Sequence, residues 1–210
     1  QTAGAAYQWV RDGVCRHEAA EAAACGERAY DAIDRGAAAA GPGAGGLVFL
    51  PYLLGERSPH WNPRARGAFV GLSAGHSPAH MARAVLEGVA LNLRSILDCF
   101  LAQGARVDAV RLIGGGARSA LWREILTDVY GRPTLLPEHV EEATSLGAAV
   151  AGGVGVGLFP GFHVVRHLVP VVERRDPDPA AHERYARLHR LFQAAYEQLA
   201  PVYRELADFA

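Results

Sequence analysis

The sequence contains no lysine, since all 21 of its basic residues are arginines. A Walker A phosphate loop, the ATP site of a protein kinase and a Schiff-base enzyme each depend on a lysine side chain. The sequence therefore excludes these three kinds of site.

The sequence also has little excess charge and few cysteines. A formal net charge of −1 offers no basic surface for nucleic acid or an anionic membrane. Cys15, Cys25 and Cys99 include no CxxC pair, and we expect reduced, buried thiols, a cytoplasmic protein and no metal bound by these residues. The length of 210 residues and the 50% hydrophobic content predict a folded domain.

No charged residue interrupts residues 143–162, a length that approaches a membrane span. Six glycines and a proline in this stretch favour instead a tightly packed helix of a soluble protein, followed by a turn. Residues 1–10 lack the basic start and long apolar run of a secretory signal. The first residue is Gln1 rather than Met, and we expect the chain to be part of a longer protein.

Periodicity and breaker residues predict an α/β domain in which strands and helices alternate. The clearest helix has Ser77 as N-cap and Pro78 at its first position, and it ends at Gly104. The other predicted elements are helices over 4–40 (broken near Gly13), 118–130 and from 143, strands over 47–52, 67–72, 108–113 and 134–136, a polar linker over 174–179 and a C-terminal helix. We expect the strands over 47–52 and 67–72 to pair antiparallel. We divide the chain into a body, 1–165, and a linker with a helix packed on it, 166–210.

Three glycines, Gly114, Gly115 and Gly116, follow a predicted strand and precede a helix. Glycine lets the backbone approach a ligand closely, and free N–H groups at a helix start favour an anionic or polar ligand. A turn that needs small residues only for packing would have the same sequence. Ser119 stands where a Rossmann fingerprint requires its third glycine, which disfavours a dinucleotide site.

Residues 67–87, GAFVGLSAGHSPAHMARAVLE, resemble a signature of the FGGY family of carbohydrate kinases. FLPYLLGERSPHWNPRARGAF resembles the segment before it in xylulokinases and gluconokinases. IGGGARSALWREILTDVYGRP and EEATSLGAAVAGGVGVG resemble the nucleotide-binding half, and AGAAYQWVRD is similar to the start of the C-terminal domain in glycerol kinases. The resemblance covers about residues 3–162. It implies an actin-like, ribonuclease-H-like domain with a mixed sheet flanked by helices.

The resemblance also implies phosphoryl transfer from ATP to a sugar or polyol hydroxyl, with D-xylulose preferred and gluconate as the alternative. This half of the family's cleft holds the adenosine. Gly115 and Ser119 match nucleotide-contacting positions of glycerol kinases, and so do Gly4 and Gln8. Gly114 and Gly116 complete the turn. Ser119 replaces an asparagine there, so any hydrogen bond comes from a shorter hydroxyl group.

The rest of the family's machinery lies in an N-terminal domain, upstream of this chain. The resemblance places there the catalytic Asp, the phosphate loop, the Mg²⁺-binding carboxylates and most sugar contacts, so no catalytic residue is assigned in these 210 residues. ATP and Mg²⁺ are the implied cofactors, and the sugar and that N-terminal domain are the implied partners. We expect the chain alone to be inactive, to expose an apolar patch and to self-associate, with a homodimer as one candidate assembly.

Two further questions stay open at the level of the sequence. A non-catalytic, actin-type nucleotide-binding or assembly module is the alternative from another functional class. Polar and aromatic residues between positions 56 and 64 either face the interdomain cleft or satisfy one another within their loop. Glu87 and Asn92 are expected to be structural or solvated rather than catalytic.

Overall fold

The helix predicted over residues 4–40 is divided into three in the computed structural model, which describes residues 3–209. The three are α1 (Ala3–Trp9), α2 (Arg16–Ala24) and α3 (Ala29–Ala39). A π-helical turn, Val10–Val14, separates the first two close to the predicted break at Gly13. The second break is not predicted. It follows α2 at Gly26, whose φ of 72° is one that glycine adopts readily.

The remaining elements follow the predicted order, with a short helix and one strand added. They are β1 (Val48–Leu50), β2 (Ala68–Val70), α4 (Pro78–Ala102), β3 (Val110–Arg111), α5 (Ala120–Tyr130), β4 (Thr134–Pro137), α6 (Ala143–Gly155), α7 (Val165–Leu168), β5 (Val171–Arg175) and α8 (Pro179–Leu206). Among residues 3–209, no helix is long and apolar enough to cross a membrane.

Strand β5 corrects the prediction of a polar linker, because Arg174 and Arg175 lie within it. It pairs antiparallel with β4 at the edge of a three-stranded sheet, and β4 pairs parallel with β3. An edge strand tolerates charged side chains, which hid this strand in the sequence. Arg175 donates to Glu124 of α5 at 2.7 Å, so its charge is paired with a carboxylate of that helix.

The predicted antiparallel pair is confirmed, with Val48 of β1 opposite Val70 of β2. Helix α4 lies across β1, and its N-cap is Ser77, as predicted. A Cβ atom on Gly88 of α4 would overlap the carbonyl oxygen of Phe49. Glycine at this position therefore allows the helix and the strand to approach closely.

Helix α8 packs back onto α4, α5 and β1. Its large side chains Tyr185, Leu188, Phe192 and Tyr203 are buried, whereas Leu206 at the end of the helix is 47% exposed. Pro201 lies inside the helix, which continues to its last turn. The division of the chain at residue 165 stays a prediction.

Glu87 is structural, as expected, and is 1% exposed. Its Oε1 accepts hydrogen bonds from Arg83 Nε at 2.6 Å, from Gly43 N at 2.8 Å and from Tyr185 OH at 2.8 Å. Burial raises the pKa of Glu87, and Arg83 opposes that rise. This carboxylate therefore joins α4 to α8 and to the loop before β1.

The expectation of buried thiols is confirmed for Cys15 alone. Cys25 and Cys99 are exposed, which corrects the prediction for these two. Cys25 follows the last residue of α2, and Cys99 lies in the last turn of α4. Near the end of a helix, fewer neighbours cover a side chain.

His189 of α8 is buried between polar groups of α4. Its Nε2 shares a 2.8 Å hydrogen bond with Ser95 Oγ, and its Nδ1 lies 3.7 Å from Asp98 Oδ2. Burial lowers the pKa of His189; Asp98 partly opposes this shift, and Arg94 adds to it. The folded protein therefore favours the neutral imidazole.

This burial predicts a loss of stability on acidification. A histidine whose folded pKa is lowered contributes fully above its unfolded pKa of about 6.5, and the contribution is lost as the pH falls through the folded pKa. We expect His189→Asn to reduce the loss of unfolding free energy between about pH 7.5 and about pH 5, measured by urea denaturation. His17→Asn is the control, since the side chain of His17 is 82% exposed. An unchanged loss in His189→Asn would contradict the prediction.

Candidate functional site

The three glycines between β3 and α5 have three different roles. Gly114 has a φ of 80°, a conformation that favours glycine, and its N–H donates to Val140 O at 2.6 Å. A Cβ atom on Gly116 would lie 2.8 Å from Cζ3 of Trp122, so close packing requires glycine there. A Cβ atom on Gly115 would meet nothing within 4 Å. The turn therefore leaves open space at Gly114 and Gly115, but only Gly115 also has a backbone conformation that other residues adopt readily.

Ser119 is the N-cap of α5. Its Oγ accepts a hydrogen bond from Trp122 N at 2.9 Å, which satisfies one of the free amides at the start of the helix. The helix begins at Ala120, two residues later than predicted, because a 3-10 turn over Gly115–Arg118 precedes it. The hydroxyl predicted to contact a nucleotide thus also supports the helix.

Gly4 and Gln8 lie on α1, and both are exposed. Helix α1 packs against the 3-10 turn, so the structure brings the two groups of predicted site residues onto neighbouring elements. A Cβ atom on Gly4 would also meet nothing within 4 Å. The side chain of Gln8 hydrogen-bonds Asp12, and together with the stronger effect of Arg11 it lowers the pKa of Asp12.

Asp34 of α3 is a polar residue near this turn that the sequence analysis missed. Its Oδ1 accepts a hydrogen bond from Tyr7 OH of α1. Burial raises the pKa of Asp34, whereas side-chain hydrogen bonds from Tyr7 and Ser119 oppose that rise. One signal was available: Asp34 lies four residues after Tyr30 and three before Ala37, on the stripe of α3 that faces the core.

Many polar groups of the loop over residues 53–66 form hydrogen bonds within the loop or to the elements beside it. Glu56 is buried, and its carboxylate accepts from Arg57 N at 2.7 Å and from Asn92 Nδ2 at 2.9 Å. Asn92 is therefore a buried structural residue. Asn62 Nδ2 donates to Tyr196 OH of α8 at 3.2 Å.

The tip of the same loop remains accessible. The His60 ring stacks on Tyr196 with centroids 3.9 Å apart, whereas Trp61 is 80% exposed. Arg57 and Arg64 are exposed as well. These exposed side chains stay available to a ligand or a partner.

Two surface cavities, of about 500 and 580 Å³, lie beside Arg184 of α8. Neither is lined by the glycine turn or by Ser119. Within residues 3–209, no group of three or more His, Cys, Asp or Glu side chains is placed to hold a metal ion. His76 and His80 have the four-residue spacing of helical metal ligands, but their Nδ1 atoms accept from Ser73 N and Ser77 N.

Ser95, His189 and Asp98 lie side by side in the order of a hydrolytic Ser-His-Asp triad. Unlike the nucleophile of such a triad, Ser95 is not accessible to a substrate. Ser95 is 5% exposed, and its hydroxyl donates to Leu91 O at 3.2 Å. Neither of the two cavities is lined by Ser95 or His189. A nucleophile needs access to a substrate carbonyl, so these residues form a structural network.

Comparison with protein families matches residues 1–156 to the C-terminal domain of the FGGY family of carbohydrate kinases. The chain is 35% identical over 210 residues to a gluconokinase of Bacillus licheniformis, a match covering 98% of this chain and 40% of that protein. It is 38% identical over 154 residues to a xylulose kinase of Escherichia coli strain K12, covering 73% of this chain and 32% of that protein. The crystal structure of xylulose kinase from Rhodospirillum rubrum is similar with a TM-score of 0.80 and 37% identity, covering 96% of this chain and 39% of that one.

These likenesses confirm the expected fold class, an actin-like α/β domain with helices beside a mixed sheet. The chain spans about 40% of the length of the gluconokinase it matches. The match covers the signature, the glycine turn and α1 together. By this match the chain belongs to the FGGY family of carbohydrate kinases and corresponds to its C-terminal domain.

Proposed function

We propose that this chain is the C-terminal half of an ATP-dependent sugar kinase and that it binds the adenosine of ATP. In the complete enzyme, ATP phosphorylates a ketopentose hydroxyl, with D-xylulose as the preferred substrate. The enzyme works in the cytoplasm. Family membership supports the reaction class, and the geometry of the glycine turn supports the nucleotide site.

The observation that carries the nucleotide site is the open space at Gly115. Gly114 and Gly116 are each explained by the fold, one by its left-handed backbone and the other by Trp122. Gly115 has neither constraint, and it lies beside α1, which carries Gly4 and Gln8. A backbone without a side chain lets a flat or polar ligand approach closely. Gln8 offers both a donor and an acceptor, and Ser119 a hydroxyl.

The residues of the glycine turn fit the nucleoside of ATP better than they fit Mg²⁺. Mg²⁺ prefers oxygen ligands in octahedral geometry, usually one or two carboxylates with phosphate oxygens. The glycine turn has no such carboxylates among its own residues, 114–119. We therefore assign the Mg²⁺ ligands, the phosphate loop and the catalytic Asp to an N-terminal domain.

Exposed apolar side chains support the proposal of a domain partner. Val156 is 82% exposed, Leu158 71%, Phe162 65% and Val172 59%. The first three follow α6, and Val172 lies in β5. Exposed apolar surface is typical of interaction sites. We propose that the N-terminal domain covers these side chains, and a homodimer stays a prediction.

Gluconate is the second candidate substrate. The gluconokinase likeness extends over 98% of this chain, whereas the likeness to the Escherichia coli xylulose kinase extends over 73%. The proposed adenosine site is the same for both sugars. Sugar selection therefore depends on groups outside the turn, such as the exposed Trp61 loop and the partner domain.

Two assays of the purified 210-residue chain test the proposal. Equilibrium dialysis is expected to show saturable binding of ADP by the chain. A coupled assay of ADP release is expected to show no turnover with ATP and D-xylulose or gluconate, because phosphoryl transfer depends on positioning groups assigned to the other half. Absence of ADP binding would overturn the adenosine site. Sugar-dependent turnover at about 1–10³ s⁻¹ would overturn the proposal that the catalytic groups lie in the N-terminal domain.

A further inference from the structure

One carboxylate holds the tyrosine that joins α1 to the start of α5. Tyr7 OH, on α1, donates to Asp34 Oδ1, on α3. The ring of Tyr7 makes an edge contact with that of Trp122, on α5. Trp122 N in turn donates to Ser119 Oγ, at the N-cap of α5. Asp34 and Tyr7 therefore connect α3 and α1 to the helix that follows the glycine turn.

Aromatic packing surrounds the Tyr7 side of this contact. Tyr7 is 5% exposed, and its ring lies 5.7 Å from that of Trp122 in an edge contact and 5.0 Å from that of Tyr30. Trp122 is also the residue that packs against Gly116. A shift of Tyr7 would therefore change the position of the glycine turn as well as that of α1.

We propose that Asp34 is a positioning residue of the nucleotide site, which sets the separation between α1 and the turn that begins α5. Asp34 lies on α3 and acts through Tyr7 and Trp122 rather than by touching the ligand. Gly4 and Gln8 move with the Tyr7 side of this link, and Gly115 moves with the Trp122 side. Holding both sides preorganises the site, so less ordering is needed when the nucleotide binds.

An apolar residue in place of Asp34 would not do the same. The buried Tyr7 hydroxyl needs an acceptor, and leaving it unpaired would favour its movement toward water. The Asp34 carboxylate supplies that acceptor. Asparagine has one acceptor oxygen in the same place and should preserve the Tyr7 link.

The test is isothermal titration calorimetry of ADP with the 210-residue chain and its variants. Asp34→Ala is expected to weaken ADP binding about five- to tenfold, the effect of one or two hydrogen bonds. Asp34→Asn is expected to stay within about twofold of the unmodified chain, since it keeps an acceptor. Asp31→Ala is the matched control on the same helix, because Asp31 pairs with Arg28 at the surface. It should bind ADP like the unmodified chain.

A coupling experiment separates positioning from a general loss of stability. Tyr7→Phe is expected to weaken ADP binding about threefold in the unmodified background and to have no further effect in the Asp34→Ala background. A merely structural role for Asp34 predicts equal effects in both backgrounds. If Asp34→Ala does not fold by circular dichroism, Tyr7→Phe alone decides, since it removes only a hydroxyl group. ADP affinity unchanged by Tyr7→Phe would then overturn the inference.

The inference rests on the proposed adenosine site, and the same titrations distinguish the two failures. If the unmodified chain does not bind ADP, the proposed site is wrong and the role of Asp34 falls with it. If the unmodified chain binds ADP and Asp34→Ala binds it equally well, the site stands and only the role of Asp34 is wrong.

Discussion

Replacing Gly115 with valine is expected to weaken ADP binding about 10- to 100-fold, since overlap with a bound ligand typically costs about 1–3 kcal/mol. The fold should tolerate the change. The left-handed backbone of the turn belongs to Gly114, with φ of 80°, and not to Gly115, so the substitution does not strain the backbone. A valine side chain at Gly115 would occupy space that no protein atom fills.

Two matched variants control this experiment. Gly75→Val adds the same side chain in the loop before α4, where a Cβ atom would meet only Ser73 Oγ at 3.9 Å, and should bind ADP normally. Gly116→Ala should instead destabilise the fold through its contact with Trp122. Circular dichroism establishes that each variant is folded before the titration. A folded Gly115→Val that binds ADP with unchanged affinity would show that the adenosine does not lie against this turn.

Glu87→Ala is expected to lower the free energy of unfolding by about 3–5 kcal/mol, the usual cost of removing one partner from a buried ion pair. The side chains of Arg83 and Glu87 are 3% and 1% exposed. Removing the carboxylate leaves the Arg83 guanidinium buried, and it also deprives Gly43 N and Tyr185 OH of their acceptor. Urea denaturation of the 210-residue chain measures the loss.

A double variant separates the charge from the packing. Arg83→Met combined with Glu87→Leu removes both charges together, and we expect it to be more stable than Glu87→Ala, because no unpaired charge remains buried. Asp31→Ala breaks an exposed pair with Arg28 and should cost no more than about 1 kcal/mol. A loss in Glu87→Ala as small as that in Asp31→Ala would contradict the structural role of this carboxylate.

Local features of the fold could be predicted because a few neighbouring residues encode them. Ser77 and Pro78 begin α4, and a strand pair precedes it, as the sequence indicates. Such signals depend on capping and on side-chain period, both of which act within one or two turns of the chain. Strand β5 could not be predicted from such signals. Two of its charges, on Glu173 and Arg175, pair with side chains of α5, and the sequence by itself does not show that the two elements are neighbours.

Some features of the candidate site could likewise be predicted from the sequence, and others depend on tertiary packing. The sequence by itself determined the family resemblance and the glycine turn, and it predicted that Gly4, Gln8 and Ser119 share a site with that turn. Only the tertiary structure decided that Gly115 combines open space with an ordinary backbone conformation and that Asp34 holds Tyr7 of α1. Tyr7 and Asp34 are 27 residues apart, and Glu87 and Tyr185 are 98 apart. Contacts over such separations depend on how whole helices pack, and no local pattern of residue types specifies that packing.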